Sequence, residues 1–219
     1  MILKKWKYSD LEDVADRFLD QHGKYDNRCL RIEQTLTSAG LRIWPVPGLA
    51  AYAEAYIPIK SGFVFIDEEQ YQKAENFRYR FTLAEELAHH LIHRPYFEGM
   101  SVEEIQKTQK SFSDGEYVQL EREAKRLAGA ILMRKSLYLP RYMQFYGDHR
   151  ERGGHHLNSI KFAVQELSKD FFASCVAVAI RAVSTEMIDQ EEFEDLGQMW
   201  DAVSMTPGDF GRGHVANRE

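Results

Sequence analysis

The sequence is most informative at residues 81–93, which read FTLAEELAHHLIH. Apolar residues recur there at the three- and four-residue spacing of a helix that buries one face. On a helical wheel Glu85 lies at the margin of that face, His89 lies beside it one turn later, and Glu86 points to one side. The pattern therefore predicts a helix over about residues 75–93, with these three polar groups along the border of the core.

The spacing of these polar groups is the one that a helical metal site needs. The zinc motif HExxH uses two ligands at i and i+4, with a glutamate base directly after the first ligand. In that register residues 85–89 read EELAH, so glutamate stands at the first ligand position. The sequence predicts Glu85 and His89 as metal ligands and Glu86 as the general base. A helix with a solvated polar face is the alternative interpretation.

A second predicted helix offers the third protein ligand of a catalytic zinc site. It covers residues 120–133, LEREAKRLAGAILM, and on the wheel Glu121 flanks the apolar stripe whereas Glu123 falls outside it. A carboxylate within an apolar stripe is costly unless a charge compensates it. We expect Glu121 to approach His89 within about 5 Å and to complete the site; a salt bridge to an arginine is the alternative. Sharing of the metal by His89 and His93 is less favoured, because it would draw the metal away from this helix.

Elsewhere the periodicity indicates an α+β fold. Helices are predicted over residues 9–21 and from about residue 27 to residue 38. Alternation of apolar residues then predicts three strands between residues 41 and 67. Residues 98–116 are polar and predict a long loop with one short helix at most.

The domain organisation is predicted from Pro140 and the polar segment GDHRERGGHH that follows it. Residues 1–140 form the first predicted domain. Residues 141–205 form a small helical region, and the glycine-rich tail, residues 206–219, is predicted to be disordered.

Composition narrows the class of protein. The chain has 219 residues, a net charge of −6 and no apolar run of membrane-spanning length, which favours a cytoplasmic protein without a signal peptide. Cys29 and Cys175 are predicted to be reduced thiols. The acidic balance argues against a nucleic-acid scaffold. A predicted helix pair over residues 158–183 vaguely suggests a helix-turn-helix, but its second helix offers only Arg181 as a cation, which argues against direct binding of DNA.

The same residues resemble a known family. RYRFTLAEELAHHLIH, residues 78–93, resembles the arginine, FTLA, HELGH and trailing LH pattern of the ImmA/IrrE metallopeptidases, and EREAKRLAGAILM is similar to their EREANRFAAELLMP. The strand FVFID, which ends at Asp67, fits the same pattern. The resemblance covers roughly residues 9–140. It implies a compact zincin-like domain with a small three-stranded sheet and packed helices, followed by a helical C-terminal region.

The resemblance also implies roles for individual residues. His89 corresponds to the second histidine ligand, Glu86 to the general base and Glu121 to the carboxylate ligand. Glu85 stands where the family has its first histidine. A carboxylate there still suits Zn²⁺, and the oxygen-rich set accepts Mn²⁺ or Fe²⁺ better than a histidine-rich site does.

The implied activity is that of a metal-dependent endopeptidase. Its protein substrate would be a repressor-like transcription regulator of stress or mobile-element genes, bound as an added strand at the sheet edge. One alternative is a catalytically inactive pseudo-peptidase that binds or senses such a regulator. A weaker alternative is a DNA-associated regulator that uses the C-terminal helices.

Overall fold

The structure is a computed structural model that describes residues 4–51, 53–58, 61–73 and 76–201, with side chains up to residue 197. Most of it is helical. In chain order the helices are α1 (Tyr8–His22), α2 (Ile32–Ser38), α3 (Glu68–Tyr71), α4 (Phe77–Ile92), α5 (Val102–Lys110), α6 (Asp114–Leu132), α7 (Lys135–Glu151), α8 (His156–Phe171), α9 (Cys175–Ser184) and α10 (Gln190–Asp201). The strands are β1 (Tyr25–Asp26), β2 (Cys29–Leu30), β3 (Arg42–Val46), β4 (Ala55–Tyr56) and β5 (Phe63–Asp67). The predicted α+β class is confirmed.

Three of these strands form a small mixed sheet in the order β3-β5-β4. Strand β3 runs parallel to the central strand β5, and β4 runs antiparallel to it. Val64 and Ile66 of β5 are fully buried on one face of the sheet. Pro45 lies in the edge strand β3, where its missing N–H leaves no gap in the ladder. The prediction of three strands between residues 41 and 67 is therefore confirmed.

Contacts along the chain define two units, and the first comprises Met1–Lys24 and Arg31–Ile131. In this unit α4 packs against β4 and α2, and α2 packs against β3. The core is formed by side chains with no solvent exposure on both α4 and α6: Leu83, Ala84, Leu87, Ala88, Ala124, Leu127, Ala128 and Ile131. The two helices that carry the predicted ligands are thus fixed by apolar burial.

The polar segment between α4 and α6 contains the helix α5. Its start is fixed by a capping box, in which Ser101 accepts from the Glu104 N–H and the Glu104 carboxylate accepts from the Ser101 N–H. Ile105 is its one buried residue and belongs to a small apolar cluster with Phe97, Phe112 and Leu120. One apolar contact per two turns gives almost no periodic signal in the sequence.

The second predicted helix begins later than expected. Residues 27–31 are not helical, because Tyr25–Asp26 and Cys29–Leu30 pair as antiparallel strands. Asn27 adopts a positive φ of 55° in the turn between them, a conformation that asparagine tolerates better than most residues. This prediction was wrong at its start and right at its end, Ser38.

The second unit comprises Tyr25–Leu30 and Leu132–Glu219, and α7 packs along α8 within it. Helix α7 continues through Pro140, so this proline does not end a helix. The predicted helix pair is confirmed as α8 and α9, which are separated by Phe172 in a left-handed conformation. Arg181 of α9 is 2% exposed and donates to the carbonyl of Met133, so its guanidinium is buried.

The remaining predictions concern membrane spans, the two cysteines, the C-terminal tail and the domain division. Among the helices of the described residues, none is long and apolar enough to cross a membrane. Cys29 and Cys175 are both free thiols. The tail predicted to be disordered, residues 206–219, lies outside the described residues. The domain division at residue 140 stays a prediction.

Candidate metal centre

The candidate centre is built on two helices that run antiparallel past each other. Helix α4 begins behind Asn76, whose side chain accepts from the Arg78 N–H. Glu85 contacts Lys125 and His89 contacts Glu121. A residue four positions further along α4 thus contacts a residue four positions earlier on α6, as expected for antiparallel helices. The polar border of α4 therefore faces the polar border of α6.

Glu85, His89 and Glu121 lie together at this contact. Each offers one ligand atom, and these atoms all lie within 4.8 Å of one another. His89 Nε2 lies 3.5 Å from Glu121 Oε1. The expected proximity of Glu121 to His89 is thus confirmed, while the role of the three residues as ligands stays a prediction.

The prediction that Glu121 rather than Glu123 shares the buried stripe was wrong. Glu123, predicted to lie outside the buried stripe, is 3% exposed, whereas the Glu121 side chain is 27% exposed. The N-terminal segment covers this side of α6, and the Trp6 backbone N–H donates to Glu123 Oε1 at 3.0 Å. A helical wheel that assumes one buried face does not predict that another segment buries a second face of the same helix.

The donor set fits a divalent metal. Ligands about 2.1 Å from a tetrahedral zinc lie roughly 3.4 Å from one another, which the His89–Glu121 pair nearly matches at 3.5 Å. The remaining separations are at most 4.8 Å, a gap that changes of side-chain torsion in the partly exposed Glu85 and Glu121 would be enough to close. Two carboxylates and one imidazole also provide the negative charge that a dication requires.

A protein cation lies beside the same cluster. Lys125 Nζ lies 3.9 Å from Glu85 Oε1, and both side chains are partly exposed. Lys125 follows Glu121 by one turn of α6, so both project toward α4. Lys125 was not predicted to lie at this site, although its i+4 spacing from Glu121 is visible in the sequence.

Glu86 lies next to the cluster and against the sheet. Its Oε2 accepts from the backbone N–H of Ile57, directly after the edge strand β4, at 3.2 Å. Burial, followed by the charge of Glu85, raises the pKa of Glu86 to about 8. Burial also raises the pKa of Glu85 to about 7, although Lys125 opposes this shift. In the absence of a metal, both carboxyl groups therefore hold their protons into the neutral range.

These shifts predict a pH-dependent stability for the chelator-treated protein. An unfolded glutamate ionises near 4.5, whereas folded Glu86 ionises near 8, so the free energy of unfolding falls as pH rises between those values. Each pKa unit is worth about 1.4 kcal/mol. Relative to Glu86→Gln, which cannot ionise, the wild type should lose a few kcal/mol between about pH 5 and pH 9. Urea unfolding of both proteins measures this, and a difference that is independent of pH would contradict it.

His93, the less favoured ligand, lies behind His89. Its Nδ1 is 2.9 Å from His89 Nδ1, and it does not belong to the three-residue ligand cluster. The ring is 4% exposed, and burial lowers the pKa of His93 to about 3. His93 is therefore neutral at physiological pH.

The family relationship agrees with this geometry. Residues 59–183 match the family model described as Peptidase_M78, IrrE N-terminal-like domain. No curated protein matches the chain. The matched range exceeds half of the chain and includes both helices of the ligand cluster as well as α8 and nearly all of α9, beyond the end of the resemblance seen in the sequence. The chain, which carries a metallopeptidase-like domain, therefore belongs to the Peptidase_M78 family.

Proposed function

We propose that this chain is a metal-dependent endopeptidase whose peptidase domain comprises residues 1–140. Glu85, His89 and Glu121 would hold the metal, and Glu86 would act as the general base. The observation that carries the proposal is the convergence of three ligand atoms within 4.8 Å beside the partly buried carboxyl group of Glu86.

The metal and the carboxyl group of Glu86 would have different roles in the reaction. A divalent metal bound here would supply Lewis acidity to a peptide carbonyl and to water. Glu86 accepts a proton from the attacking water and returns it to the nitrogen of the leaving amine. The Ile57 N–H fixes one oxygen of Glu86, which leaves the other oxygen for this transfer.

Zinc is the proposed metal, with Mn²⁺ or Fe²⁺ as alternatives. Glu85 and Glu121 contribute two oxygen ligands to one imidazole of His89. Oxygen-rich sites favour harder cations more than histidine-rich sites do. Two anionic ligands also make the metal less Lewis-acidic, so we expect slower hydrolysis than at a site with two histidines.

The proposed substrate is a repressor-like regulator protein, cleaved in the cytoplasm, in line with the family resemblance. An extended segment of the substrate would pair with β4, which is an edge strand of the sheet. Tyr56 in this strand is 50% exposed, and the residue that follows it contacts Glu86. A substrate segment paired with β4 would therefore lie close to Glu86, the proposed general base.

A second candidate function is that of a pseudo-peptidase that binds the regulator without cleaving it. The observation that favours it is Lys125, whose Nζ lies 3.9 Å from Glu85 Oε1. A stable ion pair there would compete with a metal for the same oxygen.

Metal content and cleavage together decide between these functions. The full chain is purified without chelator, its metals are measured by mass spectrometry, and zinc or manganese uptake is followed by calorimetry. Candidate repressor-like proteins are then incubated with the loaded enzyme and examined for cleavage by mass spectrometry. The endopeptidase proposal expects about one metal per chain and metal-dependent cleavage. A wild type that takes up neither metal would end it, and a metal-loaded protein that binds a regulator without cutting it would favour the pseudo-peptidase.

A further inference from the structure

A chain of buried polar groups extends from the ligand cluster into the protein. His93 Nδ1 lies 2.9 Å from His89 Nδ1, and His93 Nε2 lies 3.6 Å from Glu123 Oε2. His93 and Glu123 are 4% and 3% exposed. Water is therefore largely excluded from these groups, so their hydrogen bonds depend mainly on protein partners.

Glu123 is held in one orientation by two donors. Its Oε1 accepts from the Trp6 backbone N–H and from Gln119 Nε2, each at 3.0 Å. Its Oε2 and His93 Nε2 have no hydrogen-bond partner in the described part of the chain, and these two buried atoms lie 3.6 Å apart, just beyond hydrogen-bond distance. The fixed carboxylate therefore presents an acceptor to His93 Nε2.

These contacts determine which nitrogen of each neutral ring carries the proton. A neutral imidazole has one N–H donor and one acceptor nitrogen. If His93 directs its N–H from Nε2 toward Glu123, its Nδ1 is an acceptor. His89 must then donate from Nδ1, which leaves the lone pair of His89 Nε2 free on the side of Glu121.

We propose that Glu123 and His93 are positioning residues that hold His89 in the tautomer with a free Nε2. The inference rests on the proposed function, because a free Nε2 matters for binding a metal. It concerns the metal-free protein as well, since the contacts that set the tautomer come from the protein itself. Partners of this kind orient metal-binding histidines, and their loss typically weakens metal affinity about 10–100-fold.

The first test reads the tautomers directly in the metal-free protein. Long-range proton–nitrogen correlation spectra of ¹⁵N-histidine-labelled full chain at neutral pH report which nitrogen is protonated. We expect protons on His89 Nδ1 and His93 Nε2. A proton on His89 Nε2, or a doubly protonated His93, would overturn the inference.

Glu123→Gln tests the direction of hydrogen bonding between His89, His93 and residue 123 without changing the shape of the side chain at that position. The Gln oxygen would stay with the donors of Trp6 and Gln119, so its NH₂ group would face His93 Nε2. His93 would then accept at Nε2 and donate from Nδ1, which moves the proton of His89 to Nε2. We expect inverted tautomers and zinc affinity weaker by about 10–100-fold in a dye-competition titration. Unchanged tautomers would contradict the inference.

Two controls separate polarity from packing and net charge. Glu103→Gln removes the same charge from an exposed site on α5 and should leave zinc affinity unchanged. His93→Gln can accept from His89 and donate to Glu123, whereas His93→Leu fills the space without polar atoms. We expect the Gln variant to bind zinc about tenfold or more tightly than the Leu variant, and equal affinities would refute a polar role. A wild type with the expected tautomers but no metal uptake would instead contradict the proposed function.

Discussion

Glu86→Gln is expected to keep the metal and to lose peptide hydrolysis by about 10²–10⁴-fold, the range that general acid–base catalysis contributes. The amide cannot accept a proton from water, but its oxygen can still accept from the Ile57 N–H, so the side chain keeps its place. Single-turnover cleavage of a candidate regulator gives the rate, and metal analysis of the same sample gives the occupancy.

Glu85→Gln is the matched control for this variant. It makes the same chemical change at the adjacent residue, but a neutral amide is a weak ligand for zinc. We expect Glu85→Gln to lose metal and Glu86→Gln to retain it. Retention of full activity by Glu86→Gln would remove Glu86 from the mechanism, and equal metal loss in both variants would place Glu86 among the ligands.

Glu85→Ala is expected to lower metal affinity by more than about 100-fold, beyond the effect typical of partners outside the coordination shell. Activity should fall in parallel and recover in part at high metal concentration. The physical reason is that only His89 and Glu121 would remain to hold the ion. Calorimetric titration with zinc and with manganese measures both affinities.

Glu85→His tests the same position in the opposite direction. Imidazole restores a second nitrogen ligand, so we expect tighter zinc binding and a larger preference for zinc over manganese. If the wild type binds no metal and Glu85→His does, the glutamate is the lesion of a pseudo-peptidase. If Glu85→Ala and wild type bind zinc equally well, Glu85 is not a ligand.

Much of the candidate centre follows from local sequence. The i, i+4 spacing of Glu85 and His89 puts both on one side of any helix, whatever surrounds it. Helix α4 was also predictable, because Leu83, Ala84, Leu87 and Ala88 mark one buried stripe. Helix α5 was harder, since Ile105 is its one buried residue.

Other features depended on interactions that helical periodicity does not describe. The helix predicted from about residue 27 begins at Ile32 because Tyr25–Asp26 and Cys29–Leu30 pair with each other. Strand pairing and helix formation use the same backbone hydrogen-bonding groups, and helical propensity takes no account of strand pairing. Pro140 likewise lies inside α7, although a proline often ends a helix.

Periodicity within single elements predicts the two helices, the three strands and the spacing of Glu85, Glu86 and His89. Which glutamate of α6 is buried, by contrast, depends on tertiary contacts. Trp6, more than a hundred residues earlier in the chain, covers Glu123 and thereby directs it to His93. The same packing brings Lys125 to Glu85. Contacts between distant segments set the charge and proton positions around the centre, and a helical wheel contains no information about them.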